Sequence, residues 1–293
     1  MDANDEPAYL RIAGTGQPMF IKLIPEGELE KETHAFSLAA SLNDINALTP
    51  APLWRREVNN DRTAFAYAWT NGRHPSPEST DFRLLGGDIA VLHRSLGSLP
   101  DSGWIEARTA RRIDTLLAAV RDQDQAGLRM WRHWEPSARR SLDAFAELSP
   151  AIRQQGVPIH GDLNPGNILI SSRKAIFLDL EDATHSALWP GLDLAKIIER
   201  LVLPQIATAG TDWARDSIAS LLAGYKANDG LQLCNVAGLT FKKALLWHIG
   251  LSVTLLTEGS FSEDVRYAEM NKFSGLATLV DQHSDLLDTG LGE

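Results

Sequence analysis

The sequence predicts an α+β protein of two unequal lobes: a small N-terminal β-sheet lobe with one helix, and a large, mainly helical C-terminal lobe. The small lobe is indicated by two apolar runs, 8–13 and 19–24, which the turn-forming segment 14–17 separates as in a β-hairpin. The large lobe is indicated by the helical spacing of apolar residues from about residue 192 to the end. A segment rich in Pro and Gly at 71–77 supplies a linker between the two.

The other elements of the small lobe follow from local patterns. Pro25-Glu26-Gly27 ends the second strand, and residues 28–42 then show the spacing of a helix with one apolar face. Another strand is predicted at 65–69, because a turn-forming Asn-Asn-Asp segment precedes it. The predicted boundaries are a small lobe at 1–70, a hinge near 66–73 and a large lobe at 74–293.

The large lobe is predicted to begin with an amphipathic helix. Its apolar residues recur at the spacing of one helical face; they are Leu85, Ile89, Leu92 and Leu96. Further helical patterns fill most of 104–149, with a break at Pro136. A β-rich unit follows at 158–160, 168–171 and 175–180. The remaining helices are predicted at 192–202, 212–226, 239–257 and 262–287.

The composition is that of an ordinary globular protein and excludes one class of function. With 293 residues, of which 44% are hydrophobic and 23% charged, the chain is long enough for one large domain or two lobes. The net charge is −10 and the sequence pI is about 5.3, and no run of Lys and Arg is present. The chain therefore lacks the basic face with which proteins bind nucleic acid phosphates.

The cysteine content and the apolar segments bear on location. Cys234 is the only cysteine, which excludes an intramolecular disulfide and suits a reducing compartment. The N-terminus lacks the basic-then-apolar pattern of a signal peptide, and the most apolar later stretch, 244–256, is too short to cross a bilayer. We therefore expect a cytoplasmic protein that binds neither membranes nor nucleic acid, with its oligomeric state left open.

The most informative segment is 160–179, HGDLNPGNILISSRKAIFLD. Asp162 and Asn167 lie five residues apart in a loop that Pro and Gly make sharp. An apolar strand leaves this loop, turns, and returns as a second apolar strand that ends at Asp179. Because both strand ends of a short hairpin lie on the same side, we expect Asn167 and Asp179 to face each other.

This arrangement suits phosphoryl transfer. Asn167 and Asp179 are oxygen-bearing side chains of the kind that binds Mg²⁺, which takes one or two protein ligands and leaves its other positions to water and phosphate. Asp162 is placed to accept the proton of a hydroxyl that attacks a γ-phosphate. Each of these residues alone is a common turn former, but the complete spacing, H-x-D-x₄-N and two apolar strands ending in Asp, is hard to obtain by chance.

These motifs resemble the aminoglycoside phosphotransferase and choline kinase family, whose members are relatives of protein kinases. HGD at 160–162 is similar to the family's H-x-D motif, and LGGDIAVLHR at 85–94 to its LG…LA.LH helix. DLEDA at 179–183 resembles the metal-binding Asp and the acidic pair after it, and GLDLA at 191–195 the start of the next helix. The resemblance covers about residues 9–203. It implies a protein-kinase-like bilobal fold and a kinase that phosphorylates the hydroxyl of a small-molecule acceptor.

In the large lobe, the resemblance implies the chemistry of the reaction. Asp162 would be the catalytic base, and Asn167 and Asp179 would bind Mg²⁺. The phosphoryl donor would be ATP, with GTP as the alternative. Two histidines are expected to support this site: His160 as an anchor of the catalytic loop, and His93 through packing or a hydrogen bond between the lobes.

In the small lobe, the resemblance implies the nucleotide contacts. Lys22 would contact the α- and β-phosphates. Glu32, on the following helix, would fix the Lys22 ammonium, with Glu30 as the alternative if the helix register differs by half a turn. The adenine would bind backbone groups of Ala66, Tyr67 and Ala68.

The sequence departs from the family pattern at its N-terminus. Only 21 residues precede Lys22, so we expect a truncated small lobe. In such a lobe the family's first strand and phosphate-covering loop are missing, or the turn 14–17 takes their place. This motivates an alternative: a kinase-like module that binds nucleotide or is inactive, and acts through partners. A metal-dependent hydrolase is a weaker alternative, because the cluster offers few metal ligands.

The acceptor is suggested only by charge. Residues 256–293 carry eight Asp and Glu against Arg266 and Lys272, a side-chain charge of −6. The segment is either a solvated helical surface or a wall that attracts a cationic acceptor such as an aminoglycoside, an amino sugar or a choline-like alcohol.

Overall fold

The small lobe is a four-stranded antiparallel sheet with one long helix. The computed structural model describes residues 8–13, 18–59, 61–78, 80–99, 102–121, 136–171, 174–233, 239–258 and 263–288. The strands are β1 (Ala8–Ile12), β2 (Met19–Pro25), β3 (Pro52–Asn59) and β4 (Arg62–Ala68), in the spatial order β1-β2-β4-β3. Helix α1 (Leu29–Asn46) joins β2 to β3 and packs its aromatic Phe36 on Phe65 and Tyr67 of β4. The two predicted strands of the hairpin, the helix after them and the strand predicted at 65–69, which is β4, are confirmed.

Strand β3 was not predicted from the sequence. Its side chains from Leu53 to Asn59 are exposed, and Arg55, Arg56 and Glu57 interrupt any alternation of polar and apolar residues. It is an edge strand, held by backbone hydrogen bonds to β4 with two register irregularities. A solvent-facing edge strand needs no apolar face, so the period-of-two signal is missing.

The large lobe is mainly helical, as predicted. Its helices are α2 (Phe82–Gly97), α3 (Ser102–Arg121), α4 (Pro136–Gln155), α5 (Pro190–Ile197), α6 (Ile206–Ala209), α7 (Thr211–Ala227), α8 (Phe241–Glu258), α9 (Glu263–Gln282) and α10 (Ser284–Leu287). A π turn, Ile198–Val202, continues α5. The strands of this lobe are β5 (Val157–Pro158), β6 (Ile168–Ile170), β7 (Ala175–Phe177) and β8 (Ala187–Leu188); β5 pairs with β8 and β6 with β7.

Helix α2 forms the centre of the large lobe. The Asp81 carboxylate caps its first turn by accepting a hydrogen bond from the Leu84 N–H. The four residues of the predicted apolar stripe are all fully buried: Leu85, Ile89, Leu92 and Leu96. Gly86 allows α7 to approach, because a Cβ there would lie 2.0 Å from the carbonyl oxygen of Leu221.

The segment 71–77 runs between β4 and α2 and is hydrogen-bonded to the hairpin of β6 and β7. The Arg73 N–H donates to the Ile170 carbonyl at 3.1 Å, and the Ile170 N–H donates to the Arg73 carbonyl at 2.7 Å. This bridge adds the linker to β6 as a third strand segment. The lobe boundary at residue 70 itself stays a prediction.

Some predictions fall outside the described residues: the turn at 14–17, Cys234, and the part of 104–149 that spans 122–135. Among the helices that the structure describes, none combines the length and the apolar character needed to span a membrane.

Candidate active site

The ammonium of Lys22 lies among carboxylates where β2, α1 and the segment after β7 meet. Its Nζ lies 3.0 Å from Glu32 Oε2, 3.1 Å from Asp179 Oδ1 and 3.2 Å from Glu181 Oε1. Lys22 is 8% exposed and Glu32 is 1% exposed, so the two opposite charges leave solvent together. The side chain of Glu30, the alternative partner, is 77% exposed. Glu32 is therefore the acidic residue of α1 that meets Lys22.

This cluster shifts the pKa of its members. Burial alone would lower the pKa of Lys22, but the three carboxylates around the ammonium raise it above its ordinary value. Burial dominates at Glu32 and raises its pKa to about 7 despite the nearby ammonium. At Glu181 burial is outweighed by Lys22 and by Lys31, whose Nζ lies 2.8 Å away, and the pKa falls to about 2. Lys22 thus keeps its positive charge near neutral pH.

A cavity of about 470 Å³ opens beside this cluster, between the two lobes. Lys22, Asn167 and Asp179 are among its polar lining residues. Its apolar walls include Phe20 and Ala39 from the small lobe and Leu169 and Phe177 from the large lobe. A mostly apolar cleft of this size, with a few charged groups at one end, has the character of a small-molecule site.

The predicted hinge residues differ in their surroundings. The Tyr67 side chain reaches into the cluster, where its hydroxyl donates to Glu32 Oε1 at 2.7 Å. Ala66 is fully buried and does not line the cavity, because its side chain is on the sheet face opposite that of Tyr67 and packs with Ile21 and Ala64. The expected contact between the Ala66 backbone and adenine stays a prediction.

The segment from Tyr67 to Gly72, within the expected hinge at 66–73, lines the cavity. The Ala68 N–H donates to the Ala51 carbonyl at 2.8 Å. The Trp69 N–H likewise donates to the Pro18 carbonyl at 2.9 Å. Both donors are thus used within the small lobe. Thr70 and Gly72 line the cavity just after them, so the exit from the sheet lies at 70–72.

The loop that carries Asp162 is held by Asp193, the aspartate of the GLDLA segment. Asp193 Oδ2 accepts a hydrogen bond from the His160 N–H at 2.9 Å, and its Oδ1 accepts one from the Gly161 N–H at 3.0 Å. His93 Nε2 donates to the same carboxylate at 2.9 Å. Burial opposes the charge, but these hydrogen bonds hold the pKa of Asp193 below its ordinary value. A buried carboxylate with three donors fixes the start of the catalytic loop.

Both histidines of these motifs act as scaffold. The His160 ring joins two parts of the site: Nε2 donates to the Leu178 carbonyl at 2.9 Å, and Nδ1 accepts from the Asp162 N–H at 3.3 Å. His93 Nδ1 accepts from the Tyr225 hydroxyl at 2.9 Å. His93 therefore connects helices within the large lobe, and the expected contact between the lobes is wrong.

The middle residue of the HGD motif must be glycine. Gly161 has a φ of +84°, in the left-handed region. A Cβ at this position would also lie 2.2 Å from Ser186 Oγ. The turn that presents Asp162 thus excludes side chains by conformation and by space.

The side chains of Asp162, Asn164 and Asn167 form one hydrogen-bonded group. Asp162 Oδ2 accepts from Asn164 Nδ2 at 2.8 Å and from Asn167 Nδ2 at 3.0 Å. The Leu178 N–H donates to the Asn167 carbonyl at 2.8 Å, which brings the two strand ends together as the hairpin geometry predicted. Asp179 has a φ of +54°, which Asp tolerates better than most residues, and its side chain is 44% exposed.

The interlobe segment also contacts the catalytic loop. His74 Nδ1 lies 2.9 Å from the Ile168 carbonyl and 3.1 Å from the Pro165 carbonyl, so this nitrogen carries the proton that both oxygens accept. His74 lines the larger cavity as well. The exit from the sheet and the loop of Asp162 are therefore joined by a side chain.

A second cavity, of about 240 Å³, lies on the other side of the catalytic loop. Asp162 lines this cavity, whereas Asn167 and Asp179 line the larger one. Its other charged, hydroxyl and histidine side chains are Thr109, Arg112, Asp182, His185, Ser186, Asp193, Lys196, His248 and Ser252. A hydrogen bond from Asn167 Nδ2 to Asp162 Oδ2 therefore joins a lining residue of the larger cavity to one of the smaller cavity.

Two charged residues of the site were missed in the sequence. Lys196 follows GLDLA directly, and its Nζ lies 3.2 Å from Asp162 Oδ1 with the side chain 10% exposed. A lysine inside the apolar run of α5 was the available signal. Glu181, the second acid of DLEDA, had no predicted role, but its Oε1 lies 3.2 Å from Lys22 Nζ.

The acidic C-terminal segment does not flank the second cavity. Helix α9 packs on α4 and α8, and the last cavity-lining residue along the chain is Leu255. Among the described residues, none from 256–293 lines the cavity. The expectation that this segment forms a wall around the acceptor therefore lacks support from the described residues.

The bilobal fold is that of kinase-like phosphotransferases. The sequence matches the phosphotransferase enzyme family, APH, over residues 2–233 of 293. The chain belongs to that family. Its predicted class, a phosphotransferase that acts on hydroxyl groups, is thereby confirmed, as is the resemblance on which the prediction rested.

Solved structures share this fold. The choline kinase LicA from Streptococcus pneumoniae is 14% identical, with a TM-score of 0.57 over 92% of this chain and 89% of the other. An aminoglycoside-3'-phosphotransferase of type VIII is 20% identical, with a TM-score of 0.54 over 84% and 88%. The aminoglycoside phosphotransferase APH(3'')-Id from Streptomyces rimosus, in complex with ADP and streptomycin, is 18% identical, with a TM-score of 0.51 over 84% and 92%. No curated protein matches the sequence significantly. At these identities the likeness establishes the bilobal fold.

Proposed function

We propose that this protein is an ATP- and Mg²⁺-dependent kinase that phosphorylates the hydroxyl of a compact small molecule. The observation that carries the proposal is the hydrogen bond that joins Asp162, on the smaller cavity, to Asn167, which lines the larger cavity together with Asp179. Phosphoryl transfer needs the acceptor oxygen in line with the leaving oxygen, so nucleotide and acceptor must approach from opposite sides. Two separate cavities whose lining residues Asp162 and Asn167 are hydrogen-bonded to each other suit this requirement.

The larger cavity is the proposed nucleotide site. Lys22 would neutralise the α- and β-phosphates, and Glu32 would hold its ammonium in place. Adenine would bind between the apolar walls, against the backbone at 67–68 and 70–72. ATP is the proposed donor, supported by the ADP complex of a relative with the same fold.

Asn167 and Asp179 are the proposed Mg²⁺ ligands. The Asn167 Nδ2 is directed to Asp162, so its oxygen remains as the ligating atom. Lys22 contacts one oxygen of Asp179, and the side chain is 44% exposed at the cavity. Among the described residues no group of three or more His, Cys, Asp or Glu could hold a metal alone. Two oxygen ligands suit Mg²⁺, which neutralises phosphate charge and is bound mainly through phosphates and water.

Asp162 is the proposed base. As the acceptor oxygen bonds to the γ-phosphorus, its proton would move to the Asp162 carboxylate, and the bond from the γ-phosphorus to the leaving ADP oxygen would break. Asn164 and Asn167 hold Oδ2, so Oδ1 is the proposed proton acceptor. This oxygen lies on the side of the Lys196 ammonium and the smaller cavity.

The smaller cavity is the proposed acceptor site. Its volume of about 240 Å³ is below the roughly 300–1,000 Å³ of sites for drug-sized ligands. Its lining carries three carboxylates, Asp162, Asp182 and Asp193, against Arg112 and Lys196. Both oxygens of Asp193 already accept from the N–H groups of His160 and Gly161. Ile113, Leu116, Trp247 and Leu251 add apolar walls. We therefore favour a compact alcohol with an apolar part over a large aminoglycoside.

The test has two stages. Thermal unfolding is first measured with and without ATP and Mg²⁺, because a ligand at about 100 times its Kd adds ~2.7 kcal/mol to the free energy of unfolding. ADP release is then measured against a panel of choline-like alcohols, amino sugars, sugars, hydroxy-amino acids and aminoglycosides. We expect stabilisation by ATP with Mg²⁺ and turnover with a single-ring or acyclic alcohol.

The two stages separate the alternatives. Stabilisation without turnover on any acceptor would support the nucleotide-binding module instead of the kinase. No stabilisation at millimolar ATP would support the inactive module. Fast turnover of aminoglycosides alone would contradict the proposed acceptor class and leave the kinase assignment intact.

A further inference from the structure

The smaller cavity contains an ammonium group directly against the proposed base. Lys196, on α5, is 10% exposed in its side chain. Its Nζ lies 3.2 Å from Asp162 Oδ1 and donates to His248 Nε2 at 2.9 Å. An ammonium has three N–H donors, so these two contacts leave one for a molecule in the cavity that Lys196 lines.

A buried support lies behind Lys196. His248 Nδ1 is 3.5 Å from Glu199 Oε2, within ion-pair range but too long for a well-aligned hydrogen bond. Glu199 has a side chain that is 1% exposed, and Arg200 Nε lies 2.8 Å from its Oε1. Glu199 belongs to the π turn after α5, a type of irregularity that is frequent at functional sites. Lys196 thus lies between Asp162 and His248, and His248 lies between Lys196 and Glu199.

The protonation states agree with this order. Burial and the Lys196 charge lower the pKa of His248 below its ordinary value, so the ring is neutral and Nε2 can accept from the ammonium. Burial opposes the charge of Glu199, but His248, Lys196 and Arg200 hold its pKa below the ordinary value. The Lys196 side chain therefore lies between the Asp162 carboxylate and a neutral ring, in a site from which water is largely excluded.

We propose that Lys196 is a positioning residue of the transfer reaction, which orients the Asp162 carboxylate and the acceptor hydroxyl toward each other. Asn164 and Asn167 hold Oδ2 from one side and Lys196 holds Oδ1 from the other, so the plane of the carboxylate is fixed. The third N–H of Lys196 binds the acceptor near the reacting hydroxyl. This inference rests on the proposed function, since it assumes that Asp162 is the base.

The test compares Lys196→Met with Lys243→Met, an exposed lysine on α8. Because misplacement by 1 Å can cost about 10²-fold, we expect kcat of Lys196→Met to fall about tenfold to a hundredfold. The KM for ATP should change less than about twofold, because Lys196 lines the acceptor cavity and not the nucleotide cavity. A general loss of structure would move both parameters. Lys243→Met should behave as the wild type.

A double-mutant cycle then asks whether Lys196 acts through Asp162. The residual rate of Asp162→Asn is measured radiometrically with and without Lys196→Met. Residues that act as a unit are strongly non-additive, so the second substitution should change the residual rate by less than about twofold. If Lys196→Met does not fold, as judged by urea unfolding, Lys196→Gln replaces it in both measurements.

Each outcome decides the inference. A kcat near that of the wild type, or a full tenfold or larger effect of Lys196→Met on top of Asp162→Asn, would overturn it while the kinase assignment stands. A wild type that transfers phosphate to no acceptor would overturn the proposed function and this inference together. Reduced kcat with an unchanged KM for ATP and a non-additive cycle supports both.

Discussion

Asp193 is expected to be the residue on which the catalytic loop depends most for its stability. Its carboxylate accepts from the His160 N–H, the Gly161 N–H and His93 Nε2 at 2.9, 3.0 and 2.9 Å. Asp193→Ala leaves these three donors without their acceptor. His93 and His160 are fully buried, so water cannot replace the carboxylate at two of them.

The magnitude follows from these contacts. Each orphaned buried donor costs about 1–3 kcal/mol, and removal of the buried carboxylate returns part of this cost. We therefore expect Asp193→Ala to lower the free energy of unfolding by about 3–5 kcal/mol, the range found when one partner of a buried ionic group is removed. A protein of this kind has about 5–15 kcal/mol in total, so the variant can still fold.

Urea unfolding measures this difference directly, with midpoint and slope compared between wild type and variant. The control is Asp212→Ala, because the Asp212 side chain is 96% exposed and pairs only with Arg215 on the surface of α7. A surface aspartate of this kind should change the free energy of unfolding by less than about 1 kcal/mol. A loss at Asp193 no larger than at Asp212 would refute the proposed anchoring of the loop.

Three further predictions concern single residues. Glu32→Gln removes the charge that fixes Lys22 and should raise the KM for ATP about tenfold, the worth of a hydrogen bond to a charged group, whereas the exposed Glu30→Gln should leave initial rates unchanged. The pKa of His248 is lowered in the folded protein, so the unfolded chain binds more protons below about pH 6.5 and the free energy of unfolding falls on acidification. His248→Gln should reduce this pH dependence by up to ~1.4 kcal/mol per pH unit. If urea unfolding shows the same change in free energy between pH 7.5 and 5.5 for the wild type and the variant, the neutral ring is contradicted. Gly161→Ala, with a φ of +84° and Ser186 Oγ 2.2 Å from the new Cβ, should lower Tm and kcat, whereas Gly275→Ala, with open space around it, should stabilise helix α9 by up to about 1 kcal/mol.

The large-lobe half of the site was predictable because it is local. Asp162, Asn167 and Asp179 lie in one hairpin, so the geometry of a short β turn determines which strand ends meet. The Lys22–Glu32 pair is a contact between β2 and the next helix, and it followed from the family resemblance; the structure brings the two within 3.0 Å. Their chemical roles stay predictions.

The remaining features depend on tertiary contacts that carry no local pattern. The exit from the sheet at 70–72 depends on pairing of β4 with both neighbours, which uses the N–H groups of Ala68 and Trp69. Lys196 contacts Asp162 through the tertiary packing of α5 against the loop that carries Asp162. The apolar pattern of α5 does not indicate which way the Lys196 side chain points. The acidic segment 256–293 left two interpretations open for the same reason, since a charge count does not say which face a helix presents.

The most direct test of the account is the effect of Asp162→Asn on phosphoryl transfer. With the acceptor found in the panel, transfer of radiolabelled γ-phosphate is measured for the wild type, Asp162→Asn and the control Asp143→Asn, an aspartate that is 67% exposed on α4. A general base contributes about 10²–10⁴-fold, so kcat of Asp162→Asn should fall by at least about 10²-fold with ATP binding retained and Asp143→Asn unchanged. A kcat for Asp162→Asn close to that of the wild type would contradict the account.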